Sequence, residues 1–180
     1  MKNKISLLLS AAVVCATLGA CASDGTQRST GQYIDDKTIA TKTKSALLAD
    51  KVTDGLDINV AVDRQVVQLT GFVNSDAQVK RATEIARDIA GVKSVKNSLQ
   101  VQAGDRSAGE YLDDNVILTK VKAALAGDKT ASAVDVEVEV KRGVVSLGGF
   151  VNSRAARDSA IEVARKVKDV KKVVDNMTIR

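Results

Sequence analysis

Few residues in this 180-residue chain could carry out bond-making chemistry. Histidine is absent, which removes the imidazole base, the His-containing triad and the His metal ligand together. The acidic pairs Asp35-Asp36 and Asp113-Asp114 could hold a cation. Both, however, stand at the expected starts of helices, where carboxylates cap orphan amides and complement the dipole. Gly148-Gly149 is followed by no Lys-Ser/Thr and so makes no phosphate loop. The expectation is a non-enzyme with no metal and no cofactor. Of the two thiols, Cys15 lies inside an apolar run and Cys21 ends the stretch Leu18-Gly19-Ala20-Cys21. Cys21 is the one reactive group with a suggestive setting.

That setting is an export signal. Lys2 and Lys4 form a basic start, and Ile5 to Leu18 form an apolar run too short for a comfortable membrane span. An aliphatic residue, two small residues and a cysteine resemble a bacterial lipobox. The resemblance implies removal of residues 1–20, diacylglyceryl attachment to the Cys21 thiol and a lipid-blocked mature N-terminus. Loss of Cys15 with the signal leaves no pair for a disulfide. Ala22 rather than Asp after the cysteine points to the outer membrane, periplasmic face. Residues 21–32 are rich in Gly, Ser and Thr without apolar periodicity and read as a tether. A flexible coil of that length reaches about 18–20 Å.

The rest of the chain is a repeat. Val66-Val67-Gln68-Leu69-Thr70-Gly71-Phe72-Val73-Asn74-Ser75 returns as Val144-Val145-Ser146-Leu147-Gly148-Gly149-Phe150-Val151-Asn152-Ser153, offset by 78 residues. The offset holds without a gap from Tyr33/Tyr111 to Gln102/Arg180, and roughly 30 of the 70 paired positions are identical. Two domains follow, 33–102 and 111–180, joined by a polar linker at 103–110. All four aromatic residues fall at equivalent positions of the two copies.

Each copy opens with a helix expected to start at its acidic pair. Its core stripe is Ile39, Thr43, Ala46 and Leu47, or Ile117, Val121, Ala124 and Leu125. An alternating strand follows: Leu56, Ile58, Val60 and Val62, or Val134, Val136, Val138 and Val140. A short turn at 63–65 or 141–143 leads into the repeated stretch, so the two strands form an antiparallel hairpin. Gly71 and Gly149 mark a bend or a close backbone approach, and Phe72 and Phe150 are expected to enter the core. Ser75 and Ser153 cap a second helix, and a third strand closes each copy at Val92–Val101 and Val170–Ile179. The fold class is α+β: two tandem α-β-β-α-β units, each a small mixed three-stranded sheet with two helices packed on one face.

The element order, the V-V-x-L-x-G-F-V-x-S segment and the closing Gly91-Val92-Lys93-Ser94-Val95-Lys96-Asn97-Ser98-Leu99 run resemble the BON (bacterial OsmY and nodulation) domain. In the second copy Asp169 replaces the closing glycine and Asp175 replaces Asn97. With the lipobox, the chain resembles dual-BON envelope lipoproteins. That resemblance implies a non-catalytic role in contact with membrane phospholipids, supporting envelope integrity, at times under osmotic stress. The alternative is an interaction or chaperone-like module that meets envelope proteins through a sheet face or edge. Nucleic acid is a poor partner for an exported chain whose few aromatics serve the fold.

Positions identical in the two copies mostly describe the fold, so specialisation is sought where they diverge. On the first helix of copy two, Leu112, Val116 and Lys120 lie away from the core stripe, where copy one has Ile34, Thr38 and Lys42. On the second helix Arg154, Arg157, Arg165 and Lys168 cluster on a helical wheel, where copy one has Asp76, Val79, Arg87 and Ala90. A basic face beside exposed apolar residues suits an anionic bilayer. The expected contact with phospholipid, preferably anionic, therefore lies in the second domain, through Leu112, Val116, Lys120, Arg154, Arg157, Arg165 and Lys168.

Overall fold

The computed structural model describes residues 30–53, 57–131 and 135–180. Cys21, the signal segment, Leu56 and Val134 lie outside the described residues. Domain 1 comprises α1 (Thr30–Ala49), β1 (Asp57–Asp63), β2 (Val66–Val73), α2 (Asp76–Arg87) and β3 (Ser94–Val101). Domain 2 comprises α3 (Ala108–Gly127), β4 (Asp135–Lys141), β5 (Val144–Val151), α4 (Arg154–Lys166), β6 (Lys172–Asp175) and β7 (Thr178–Ile179). In each sheet the hairpin pairs antiparallel and the last strand joins its second strand in parallel. This is the α+β pattern read from the repeat.

The helices lie over one face of each sheet. In domain 1, Ile39 and Leu47 of α1 and Ala82, Ile85 and Ala86 of α2 enclose Val67 and Leu69. In domain 2, Ile117, Val121 and Leu125 meet Ala160 and Ala164 over Val138, Val145 and Leu147. The buried Thr43 hydroxyl donates to the Ile39 carbonyl at 2.8 Å, so a polar side chain sits in the core stripe without an orphaned group.

Two local expectations are corrected. First, the acidic pairs do not start the helices. Helix α1 begins at Thr30 and α3 at Ala108, inside the segments read as tether and linker. The N-cap of α3 is Ser107, which forms a reciprocal capping box with Glu110. Asp36 and Asp114 therefore lie within their helices and are buried. Asp36 accepts the backbone N–H groups of Arg64 and Gln65, both at 2.9 Å. Asp114 accepts those of Arg142 at 2.8 Å and Gly143 at 2.9 Å. These are the two-residue hairpin turns, all four residues of which have φ between +49° and +78°. Such a turn points its amides inward with no strand partner, and the helix carboxylate supplies the acceptor.

Second, Phe72 and Phe150 do not enter the helix-covered cores. The register places Phe72 on the same sheet face as Gln68 and Thr70. Phe150 lines a cleft with Ala61 of domain 1. Both rings are buried between the sheets. Leu112 lies in the second turn of α3 and is 66% exposed.

The two sheets cover each other's helix-free faces. Gln68, Thr70 and Ser146 are buried there despite being polar. Gln68 accepts the Gly149 N–H at 2.8 Å and donates to the Asn176 carbonyl and the Thr178 hydroxyl across the interface. Thr70 occupies the space that a Cβ on Gly148 would need, with its Oγ1 only 2.4 Å from that position. Lys141 donates to Asn74 at 2.8 Å and to the Gln102 carbonyl at 2.9 Å. Arg106, just before α3, bridges Asp57 at 2.6 Å and Asp114 at 3.3 Å, and its guanidinium lies 4.9 Å from the Tyr111 ring centroid. The sheet faces that the interaction-module alternative would offer are thus occupied by each other.

Gly71 and Gly149 sit at the hairpins' most crowded points. Their φ angles are +115° and +106°. A Cβ on Gly71 would lie 2.0 Å from the Asp57 carbonyl oxygen, and one on Gly149 would lie 2.4 Å from that of Asp135.

Candidate phospholipid-contact surface

The outward side of domain 2 is built by α3 and α4. Leu112 and Val116, 66% and 51% exposed, sit one turn apart on α3, with Lys120 one turn further. In domain 1 the same stripe is Ile34, Thr38 and Lys42, and Ile34 is also exposed. An exposed aliphatic pair is the kind of surface that a nonpolar phase would cover.

The seven candidate residues do not form one uniform patch. Arg157 is committed within the fold: its Nε donates to Asp175 at 2.6 Å, and that carboxylate holds the guanidinium pKa above its ordinary value. Asp175 also accepts the Met177 N–H at 3.0 Å. Asn97 does the equivalent job in domain 1 for Leu99 at 2.9 Å, and its amide reaches Thr83 at 2.6 Å. The Val79-to-Arg157 and Asn97-to-Asp175 changes are therefore one exchange of a hydrogen-bonded tie for an ionic one. Lys168 lies beyond α4, which ends at Lys166, and so is not on the helical face where the wheel put it. Lys120 pairs with Asp169 at 3.8 Å, an exposed contact worth little. Among the described residues no ion pair engages Arg154, Arg165 or Lys168, and all three are exposed. The structure thus brings Leu112, Val116 and Lys120 onto one stripe, keeps Arg154 and Arg165 outward, and withdraws Arg157.

Beside the stripe runs a groove of about 340 Å³ that the sequence did not signal. Its α3 wall carries Asp113 and Val116, and its floor is Asp114 and Ile117. The turn residues Arg142 and Gly143 close one end, and Asp169 and Lys171 after α4 form the opposite wall. The walls are tied together: the Lys171 N–H donates to the Gly143 carbonyl at 2.9 Å. Arg142 donates to the carbonyls of Ala103 at 3.0 Å and Asp105 at 2.8 Å and pairs with Glu110 at 3.4 Å. The Ser107 backbone N–H, followed by its hydroxyl and by Arg142, holds the Glu110 carboxyl below its ordinary range. No group of metal-ligating side chains occurs among the described residues. No helix among them is long and apolar enough to cross a membrane.

Known proteins carry the same pattern. The BON domain family model matches residues 35–103 and again 113–180. The osmotically-inducible protein Y of Escherichia coli is 36% identical over 155 residues, covering 86% of this chain and 77% of that protein. The outer membrane lipoprotein DolP of Haemophilus influenzae is 32% identical over 149 residues, covering 82% and 76%. A 21 kDa hemolysin of Actinobacillus pleuropneumoniae is 30% identical over 149 residues, covering 82% and 75%. Two family matches that between them span both α-β-β-α-β units establish that the chain belongs to the BON-domain family.

Proposed function

We propose that this is a non-catalytic envelope protein, anchored at the periplasmic face of the outer membrane through lipid on Cys21, whose second domain rests on phospholipid and supports envelope integrity. The observation that carries the reading is the exposed Leu112–Val116 pair on α3, with Lys120 one turn further and the outward cations Arg154 and Arg165 on α4 of the same domain. Apolar side chains gain by leaving water at the interface, and each basic residue near an anionic surface adds about 1 kcal/mol. The names of two relatives support the setting, one an outer membrane lipoprotein and the other osmotically inducible. The absence of tryptophan favours a shallow contact over deep insertion.

Co-sedimentation with vesicles tests this, using the chain from Ala22 onward, which keeps every described residue. Val116→Asp is expected to weaken binding to vesicles containing phosphatidylglycerol about tenfold, since burying one valine is worth about 1.5 kcal/mol. Arg154→Glu combined with Lys168→Glu is expected to weaken it at least as much, with a steeper effect at low salt. Arg157 is left intact because its loss would unpair Asp175. Normal binding by both variants while folded would refute the reading and leave the protein-interaction alternative in the lead.

A further inference from the structure

The two copies diverge most tellingly around the groove beside α3. Of the nine residues lining it, four differ from their domain 1 counterparts, and each change opens the groove or alters its chemistry. Gly143 stands where domain 1 carries Gln65, so no side chain projects from the second turn position. Val116 replaces Thr38 and makes the rim next to Leu112 apolar. Asp169 replaces Gly91, and Glu110 replaces Gln32, adding two carboxylates.

Asp169 is the most informative of these. It keeps the left-handed backbone of the glycine it replaces, with φ +71° against +93° at Gly91. A non-glycine residue there is unfavourable by about 1 kcal/mol, and residues held in such conformations cluster at functional sites. The side chain gained in exchange lines the groove. On the same wall Lys171 supplies a cation, and its stem lies against Gly143, 3.0 Å from where a Cβ would be. Asp113 and Lys171 have no ion-pair partner among the described residues, whereas Glu110 and Arg142 pair with each other. The groove therefore offers one uncommitted charge of each sign, an excess of carboxylate, and an aliphatic rim.

We infer that this groove binds a zwitterionic phosphoammonium headgroup of the ethanolamine type. The ammonium would meet Asp113 and Asp169, the phosphate would meet Lys171, and the attached apolar chains would pass over Val116 and Leu112. A purely anionic headgroup is disfavoured here, because the lining carboxylates outnumber the lining cations. The basic residues outside the groove draw the domain to a negatively charged surface, and the groove then selects a headgroup within it. The inference rests on the reading that domain 2 contacts phospholipid.

The test uses the chain from Ala22 onward, with glycerophosphoethanolamine and glycerophosphoglycerol as soluble probes and vesicles doped with either parent phospholipid. Glycerophosphoethanolamine is expected to shift the amide resonances of residues 113–117, 142–143 and 169–171. The double variant Gly143→Gln with Asp169→Gly restores the domain 1 residues and is expected to weaken that binding at least tenfold. Gln65 shows that the same turn tolerates glutamine at φ +64°, so this variant has a precedent for folding within the chain. Asp113→Asn provides a second variant outside the turn, with the same expected loss. Binding to ethanolamine vesicles without the free headgroup would assign a bilayer lipid as the source, and equal binding of the free headgroup would assign a soluble source. Indifference between the two headgroups, or unaltered binding by both variants, overturns the inference while leaving the membrane reading in place. Failure of the parent chain to bind vesicles of any composition removes the membrane reading instead.

Discussion

Domains 1 and 2 are two versions of one fold, and their differences fall on two opposite sides. One set faces inward, between the sheets, where Gln68 and Thr70 of domain 1 meet the region of their own counterparts, Ser146 and Gly148. A long amide opposite a short hydroxyl and a threonine against a glycine are complementary in size. Two identical copies would put Thr70 against another threonine and leave no room. This part of the divergence is explained by docking of the copies on each other. The other set faces outward: Val116 for Thr38, Gly143 for Gln65, Asp169 for Gly91. Among the described residues their one ion pair is the exposed contact of Asp169 with Lys120, so these changes are the ones that bear on an external partner. Divergence between repeats is thus informative about function only after the interface between the repeats has been subtracted.

The carboxylate clamps give the largest way to sharpen this comparison. Asp36 and Asp114 do the same job, yet Gly143 N–H is buried whereas the domain 1 turn amides are only partly so. An unsatisfied buried donor costs about 1–3 kcal/mol. Asp114→Ala is therefore expected to destabilise by about 4 kcal/mol and Asp36→Ala by about 2 kcal/mol. Urea unfolding of each variant checks the order, and equal midpoints would show that the deeper burial of the Gly143 amide adds nothing.

The hairpin glycines come next. Gly71→Val is expected to cost about 3 kcal/mol and Gly149→Val about 2 kcal/mol, from strain at positive φ and the clash with the neighbouring strand's carbonyl. The inequality follows from the closer approach in domain 1, 2.0 Å against 2.4 Å. Unchanged urea midpoints for both variants would mean that the backbone shifts at little cost and that the bend is not fixed by the missing Cβ.

How far the sequence announced these features depends on the range of the interaction. The α-β-β-α-β order was legible because helix and strand periodicities are local and each was written twice. The clamp was not. An acidic pair ahead of an apolar stripe carries the signal of a helix cap, and only the fold brings Asp36 to amides 28 and 29 residues away. Gln68 and Thr70 alternate with the core residues Val67 and Leu69 and so lie on the face opposite the helices, but nothing local says that a second sheet covers that face. Phe72 went astray for a related reason, since a large ring after a strand suggests a core, whereas its parity with Gln68 and Thr70 decides its side. A helical wheel grouped Arg157 with free cations because it does not show Asp175, 18 residues away on the neighbouring strand. The groove was invisible for the same reason, being assembled from α3, a hairpin turn and a loop. The divergent residues Val116, Gly143 and Asp169 were its available trace.

The smallest expected effect concerns Glu139, whose counterpart in domain 1 is Ala61. Glu139 lies on the interface side of β4, and burial, followed by repulsion from Asp57, raises its carboxyl pKa above the ordinary value. Lys122, Arg106 and a hydrogen bond with Asn59 act in the opposite direction without cancelling that shift. Between the ordinary carboxyl pKa, about 4.3, and the raised one, the folded chain holds this proton and the unfolded chain does not. Stability from this group is therefore greatest in acid, declines as pH rises through that window, and stays at its lower level above it. Glu139→Gln removes the ionisation, so it is expected to match the parent near pH 4 and to exceed it modestly at pH 7. The difference between variant and parent urea midpoints, followed across pH, cancels the other carboxylates and isolates this one. A difference that stays flat across the window would show that the interface accommodates the charge, and that the copies differ at this position without electrostatic consequence.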